Sequence, residues 1–307
     1  MPTVFISAGE KSGDRHGAKL MSCLKKCQSS IAFTGVGGSA MRDQGQTQLA
    51  DLTPVSTIGF IEPIRHLFTF ITTMRRIKRD LRNNRPDVVI AIDYQGFNML
   101  VLKAAKKLGI PTVYYISPQE WQWGTVKGGE KVVEITDLIL SIFPEEHEFY
   151  DRLGAQSVFI GHPIVDLTRP DQDRIQTRKA LNVQDTDTLI TVFPGSRPQE
   201  IKLLAPTLLD SAQDLLSKLP NAKVVISVAE DHLKPAIQAL VTQTKLPATL
   251  VQTNSHNLIA ASDCSLTTSG TITLEHALLG TPFVAIYRLS NLSYSIAKRL
   301  MGKSFEE

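Results

Sequence analysis

Short stretches of Val, Ile, Leu, Phe and Tyr, apolar at nearly every position, recur along the chain between longer segments with a helical apolar period. In the first half they fall at residues 3–7, 31–35, 88–93, 112–117, 138–142 and 158–160. In the second half they fall at 189–193, 223–228, 248–252, 265–268 and 283–287. A strand that is apolar on both faces needs cover on both, and intervening helices supply it, so the pattern predicts parallel sheets in a doubly wound α/β fold. Between residues 161 and 188 the alternation lapses into His162-Pro163, Arg169-Pro170-Asp171 and Asp185-Thr-Asp-Thr, with one short helical stretch at 174–181. A polar, proline-bearing segment at mid-chain is where a domain boundary is expected. We therefore expect two Rossmann-like domains, 1–165 and 166–307, facing a cleft that binds ligands at the carboxyl ends of the strands.

Composition narrows the class. The 307 residues suffice for two cores, and 42% hydrophobic with 21% charged residues excludes disorder, collagen and coiled coil. Thirty-three basic residues against 30 acidic leave +3, too thin for a polyanion footprint, and no nucleic-acid-binding module is visible. Cys23, Cys27 and Cys264 cannot all pair, and the first two lie four apart in one predicted helix, which favours a reducing compartment. The start lacks a basic region, and no uncharged apolar run reaches the roughly 18 residues of a spanning helix, so a cytoplasmic protein is expected, at most lying on a membrane. The seven histidines show no ligand spacing, so no metal is expected; a Gly-x-Ser-x-Gly elbow and a Walker lysine are both missing.

Candidate chemistry clusters just after strands. Ser7-Ala-Gly9-Glu10-Lys-Ser12-Gly13-Asp14 opens a helical stretch whose free amides can attract anions or sugar hydroxyls; the plain alternative is a strand-to-helix turn with Asp14 as N-cap. Gly35-Val-Gly37-Gly38-Ser39 offers the same pair of readings. Asp93 ends an apolar strand, where a partly desolvated carboxyl can act as general base or simply cap a helix near Gly96. Pro194-Gly195-Ser196-Arg197 precedes a helix expected at about 199–219, kinked or restarted near Pro206, and places a guanidinium where it can pair with a phosphate. Ser269, Gly270 and Thr271 can cradle a diphosphate at a helix start, with Glu275 one turn in able to accept from a ribose diol.

Residues 64–82 read as one amphipathic helix. Phe70, Met74, Ile77 and Leu81 form an apolar stripe with Leu67, Phe68 and Ile71 beside it, and Arg75, Lys78, Arg79 and Arg82 form a basic stripe. Such a helix suits an anionic membrane surface, or equally a core-packed helix with a solvated basic face.

As a set these motifs resemble one family, the lipid-A-disaccharide synthases, inverting glycosyltransferases of GT-B fold. The resemblance is carried by Ala8-Gly-Glu10-Lys-Ser12-Gly-Asp14, Gly35-Val-Gly-Gly-Ser-Ala-Met41, Ile58-Gly59-Phe60-Ile-Glu62 and Ile92-Asp93-Tyr-Gln-Gly-Phe97-Asn98. It continues through Tyr115-Ile-Ser117-Pro118-Gln-Glu-Trp121-Gln-Trp123, Phe143-Pro144-Glu-Glu146, Phe159-Ile-Gly161-His162-Pro163, Pro194-Gly-Ser-Arg197 and Ser269-Gly-Thr-Ile-Thr-Leu-Glu275. The resemblance implies transfer of a diacylglucosamine unit from UDP-2,3-diacylglucosamine to 2,3-diacylglucosamine 1-phosphate, giving a β-1,6 disaccharide and UDP without metal or cofactor. It implies Asp93 and Glu10 as catalytic carboxylates, with either able to be the base. Ser12, Gly13, Asn98, Arg197, Ser269, Gly270, Thr271 and Glu275 become substrate-binding residues. Phe68, Ile71, Arg75, Lys78, Arg79 and Arg82 become a contact with the inner-membrane surface, to which the protein is then peripheral. A homodimer is also implied, and no nucleic acid. Two departures stand out. Trp123 is followed by Gly124-Thr-Val-Lys127 where the family carries arginine and a basic cluster, and the family pattern continues past the equivalent of Leu300 whereas this sequence ends at Glu307. The alternatives are therefore an inactive member that binds lipid or UDP-sugar, or another UDP-sugar enzyme of GT-B fold.

Overall fold

The computed structural model of the protein describes residues 1–55, 67–122 and 124–288. The motif at Ile58 to Glu62, residues 64–66 of the amphipathic segment, and Trp123 lie outside the described residues. The chain divides into two compact units, Met1–Pro163 and Ile164–Glu307.

In the first unit the strands are β1 (Thr3–Ala8), β2 (Ala32–Val36), β3 (Gln46–Ala50), β4 (Val88–Ile92), β5 (Thr112–Tyr115), β6 (Leu138–Ser141) and β7 (Ser157–Phe159). The helices are α1 (Lys11–Cys27), α2 (Ser39–Asp43), α3 (Leu67–Asn83), α4 (Gln95–Lys107), α5 (Val126–Glu134) and α6 (Pro144–Arg152). The strands form one parallel sheet in the order β3-β2-β1-β4-β5-β6-β7. Successive side chains of a strand point to opposite faces, and here both faces are buried. Phe5, Val89 and Ala91 join Met74, Ile77 and Leu81 of α3 and Val101 and Leu102 of α4 on one face. Val4, Ile6, Ile90 and Ile92 join Met21 of α1 and Met41 of α2 on the other.

The second unit holds α7 (Ile164–Leu167), α8 (Arg174–Ala180), β8 (Thr188–Phe193), α9 (Pro198–Lys218), β9 (Ala222–Ser227), α10 (Lys234–Thr244), β10 (Ala248–Val251), α11 (Ser255–Ala261), β11 (Cys264–Thr268), α12 (Thr271–Leu279) and β12 (Phe283–Ile286). Its parallel sheet runs β10-β9-β8-β11-β12. Ile190, Val192, Val224 and Ile226 meet the inner faces of α9 and α10, while Leu189, Phe193 and Val225 meet Leu258 and Ile259 of α11.

Three expectations are corrected. The polar strand β3 was not expected, because Gln46-Thr-Gln-Leu-Ala lacks the β-branched apolar run that marks a strand. It forms because Gln46 is buried with its amide donating to the Ile6 carbonyl at 3.0 Å, a pairing no local pattern announces. α9 runs unbroken through Pro206 rather than restarting there. Asp14 does not cap its own helix, whose N-cap is Glu10. Its carboxylate instead accepts from the N–H groups of Gly38 (2.8 Å), Ala40 (3.0 Å) and Met41 (3.1 Å), capping α2 from α1.

Strand order fixes where ligands can bind. In an open parallel sheet the crevice lies outside the carboxyl ends of the two strands at which the winding direction reverses. In the first unit those are β1 and β4, so the switch point is flanked by Gly9-Glu10 and Asp93-Tyr94. In the second they are β8 and β11, flanked by Pro194–Arg197 and Ser269–Thr271.

Candidate active site

At the end of β4 the chain makes an unusual turn. Asp93 and Tyr94 both adopt left-handed backbone with φ of 51°, a conformation that costs non-glycine residues about 1–3 kcal/mol each and persists only where surroundings enforce it. The enforcement is visible. Asp93 N–H donates to the Tyr115 carbonyl (3.2 Å), and the Asp93 carbonyl accepts from Asn98 Nδ2 (2.7 Å) and the Tyr114 hydroxyl (3.3 Å). The Tyr94 ring lies directly on Gly9, where any side chain would collide with it, and packs 6.2 Å from the Phe97 ring. Burial raises the Asp93 carboxyl above the usual carboxylate range, opposed in part by the Tyr94 backbone N–H. Burial and the nearby Glu10 carboxylate push the Tyr94 phenol up to about 12. Glu10 therefore lies close enough to Tyr94 to act on it, which brings the two expected carboxylates to the same switch point.

The other expected residues of this unit divide. Ser12 is half-buried at the start of α1, where Ser12 and Gly13 precede the first intrahelical hydrogen bond, Asp14 N–H to the Glu10 carbonyl at 2.8 Å. Gly13 is buried, and a side chain there would press on Ala8 and Ile92, so its glycine serves the packing of α1 on the sheet. Asn98 lies behind the turn. It is fully buried, its Nδ2 donating to the carbonyls of Ser7, Ile92 and Asp93 and its Oδ1 accepting from the Ser7 hydroxyl at 2.7 Å. With every side-chain polar atom engaged and no surface exposed, it holds the Asp93 turn from behind.

Sequence reading missed several polar groups at the ends of β5, β6 and β7. Ser117 donates to Glu146, and the Glu146 carboxylate also accepts from the N–H groups of Ile142 (2.7 Å) and Phe143 (3.3 Å). Burial raises that carboxyl. Trp121 packs 5.6 Å from Phe143, which meets the His162 ring edge-on at 5.4 Å. These residues stood in the quoted motifs, but their roles depend on partners distant in the chain that only the sheet brings together.

In the second unit Ser269, Gly270 and Thr271 are exposed at the start of α12, and no side chain caps that helix. A helix start of this kind presents backbone N–H groups to an anion. Glu275 lies one turn in, its carboxylate 3.5 Å from His256 Nε2, a partner the sequence did not suggest. Arg197 is the N-cap of α9, and its guanidinium pairs with Glu200 at 2.8 Å. Glu200 also accepts from the N–H groups of Ser196 (2.8 Å) and Arg197 (3.2 Å), so at this helix start a carboxylate already holds the amides and orients the arginine.

On α3 the stripes divide between the core and the surface. Met74, Ile77 and Leu81 are buried in the core, whereas Leu67, Phe68 and Ile71 are exposed, Phe68 to 77%, along with Arg75, Lys78, Arg79 and Arg82. Among the described residues no helix is long and apolar enough to cross a membrane, and no cluster of three or more His, Cys, Asp or Glu is placed to hold a metal ion.

Residues 4–305 match the family model described as lipid-A-disaccharide synthetase. The chain belongs to this family. It is 37% identical over 304 residues to the lipid-A-disaccharide synthase of Trichlorobacter lovleyi, covering 97% of this chain and 78% of that protein. It is 35% identical over 306 residues to that of Synechocystis sp., with coverages of 97% and 78%. Among solved structures the fold is similar to that of the S. aureus MnaA-UDP co-structure, with TM-score 0.66, 13% identity, and coverage of 99% of this chain and 89% of that one. It is also similar to a UDP-GlcNAc 2-epimerase from Neisseria meningitidis bound to UDP-GlcNAc, with TM-score 0.61, 14% identity, and coverages of 96% and 84%. At such identities the likeness speaks for the fold alone, the two-unit GT-B architecture. The lipid-A-disaccharide synthetase family assignment rests on sequence that spans both switch points, so the Asp93 turn and the α12 start belong to one enzyme.

Proposed function

We propose that the chain joins UDP-2,3-diacylglucosamine to 2,3-diacylglucosamine 1-phosphate, forming the β-1,6 disaccharide of lipid A and releasing UDP. Family membership over residues 4–305 carries the reaction. The observation that carries the choice of base is the Asp93 carboxyl, held on an enforced left-handed turn at the switch point and raised by burial. A base must be basic enough to take a proton, and burial that raises the Asp93 carboxyl makes its carboxylate the more basic. Asp93 takes the proton of the acceptor 6-hydroxyl as its oxygen forms the bond to the anomeric carbon of the donor. The bond from that carbon to the diphosphate breaks on the opposite face and inverts the centre, and UDP leaves. Glu10, beside Tyr94, and Ser12 hold the acceptor sugar. The amides of α12 at Gly270 and Thr271, the Ser269 hydroxyl and Arg197 meet the charge that grows on the leaving diphosphate. Glu275, oriented by His256, accepts from the uridine ribose.

Both substrates carry acyl chains, and we read α3 as the element that meets them at the cytoplasmic face of the inner membrane. Exposed Leu67, Phe68 and Ile71 enter the acyl boundary while Arg75, Lys78, Arg79 and Arg82 face anionic headgroups. Lys78 and Arg82 of α3, with Ala104, Lys107 and Leu108, also line an open cavity of about 180 Å³. Three cations around an apolar floor suit a lipid phosphate.

The test is turnover of purified protein with both lipids in detergent. Asp93→Asn should lower kcat by about a thousand-fold, the scale of a lost general base, while leaving UDP binding intact. Parent-level turnover by that variant would overturn Asp93 as base. Activity on unacylated UDP-N-acetylglucosamine, with none on the lipids, would favour a different UDP-sugar reaction.

A further inference from the structure

The loop after β5 carries a carboxylate with no part in the reaction described so far. Glu120 is half-buried, and its two oxygens face different elements. Oε1 accepts from Gln95 Nε2 at 2.7 Å, and Oε2 accepts from the Thr125 N–H at 3.1 Å, at the N-cap of α5. The seat for this carboxylate is made of glycine. A side chain at Gly124 or at Gly128 would fall on it, so the Gly124-Thr-Val-Lys127-Gly128 stretch, the same stretch that departs from the family pattern, is shaped around Glu120. Gln95 in turn is the first residue of α4 and directly follows the left-handed pair Asp93-Tyr94.

The turn is held from behind by Asn98, Tyr114 and Tyr115, and on the α1 side by the packing of Tyr94 on Gly9. Gln95 and Glu120 supply the hold from the β5 loop. We propose that Glu120 is a positioning residue that, through Gln95, fixes the Asp93-Tyr94 turn in its working shape, an inference that rests on reading Asp93 as the base. A turn that departs from favoured backbone geometry relaxes when one of its restraints is removed, and a base displaced by about 1 Å loses rate much more than binding.

The experiment measures kcat and KM for both lipids in the full chain with Glu120→Ala, Gln95→Ala, and the exchanged pair Gln95→Glu with Glu120→Gln. In the exchanged pair the amide N–H introduced at position 120 donates to the carboxylate introduced at position 95, while the amide oxygen still accepts from the Thr125 N–H, so both contacts return. Glu120→Ala and Gln95→Ala should each lower kcat about ten-fold with KM changed less than two-fold, and the exchange should recover most of the loss. The pH profile adds a readout that partial unfolding does not move. Asp93 is faced by Tyr94 on its own turn, whose phenol Glu10 acts on, and by Tyr114 of β5, and a loosened turn that admits water shifts the acid limb of kcat/KM to lower pH. Glu120→Ala at parent kcat would overturn the proposal. So would a loss in Glu120→Ala that Gln95→Ala does not share, since Glu120 would then act only as the cap of α5. Parent-level turnover in Asp93→Asn would instead overturn the base assignment, whatever the two alanine variants show.

Discussion

His16 shows at the scale of one residue what burial does to a titratable group. It lies on α1 at 8% exposure, its ring edge-on to Tyr115 at 6.3 Å, with Nδ1 buried and without a hydrogen-bond partner among the described residues. Desolvation, with smaller contributions from His162 and Arg15, pushes it down to about 4. The direction of the stability effect follows. In the unfolded chain this histidine takes up a proton near 6.5, and in the folded chain only near 4, so between those values the unfolded state binds more protons. Stability contributed by the neutral ring is present above pH 6.5 and is lost as pH falls toward 4, up to about 3 kcal/mol at 1.36 kcal/mol per unit. Urea unfolding from pH 7 to pH 4 should show this slope in the parent and a flatter one in His16→Phe. An equal slope in both would show that other groups drive acid unfolding. Nothing in the sequence singled out His16, because its environment is assembled from β5 and the end of β7. Asp93 was singled out by its place after an apolar strand, but the left-handed turn that makes its carboxyl unusual was not.

The element scale decides which parts of a pattern face the core. α3 carries apolar residues over more than one stripe, and the periodicity alone gave two equal readings. Packing against the sheet consumed the Met74, Ile77 and Leu81 stripe and left Leu67, Phe68 and Ile71 outside beside four cations. Replacing Arg75, Lys78, Arg79 and Arg82 together by Gln should weaken sedimentation with phosphatidylglycerol vesicles by about a thousand-fold, at about 1 kcal/mol per charge. Binding to phosphatidylcholine vesicles should not change, whereas Phe68→Ser should weaken both. Unaltered binding of the Gln variant to anionic vesicles would remove α3 from the membrane reading. α8 makes the complementary point. Its Arg178 is 3% exposed and bonds the carbonyls of Ala261, Gln184 and Asp187 as well as Asp263, so this buried cation is the tie between α8 and the start of β11.

At the scale of the whole molecule each unit repeats one device, a parallel sheet whose winding reverses beside a helix start. The second unit should bind UDP through the α12 amides and Arg197. UDP at a hundred times its Kd should then stabilise the folded state by about 2.7 kcal/mol, seen in calorimetry as a melting transition raised by several degrees. Arg197→Ala should lose most of that shift. A full shift in the variant would assign the diphosphate to the helix amides alone.

Hydrophobic periodicity by itself determined the alternation of buried strands and amphipathic helices, and with it the α/β class. Motif order determined the family and put Asp93, Arg197 and Ser269 to Thr271 just after strands. These were legible because burial on both faces and helix starts leave local signatures that survive in a short window of residues. Only the tertiary structure decided that Asn98 is a buried brace, that Asp14 caps α2, that Gln46 builds a strand, and that His256 and Glu120 are the partners of Glu275 and Gln95. Each of those facts is a hydrogen bond or ion pair between groups whose meeting depends on strand order and register, and a polar residue's sequence neighbours do not say which distant partner will satisfy it.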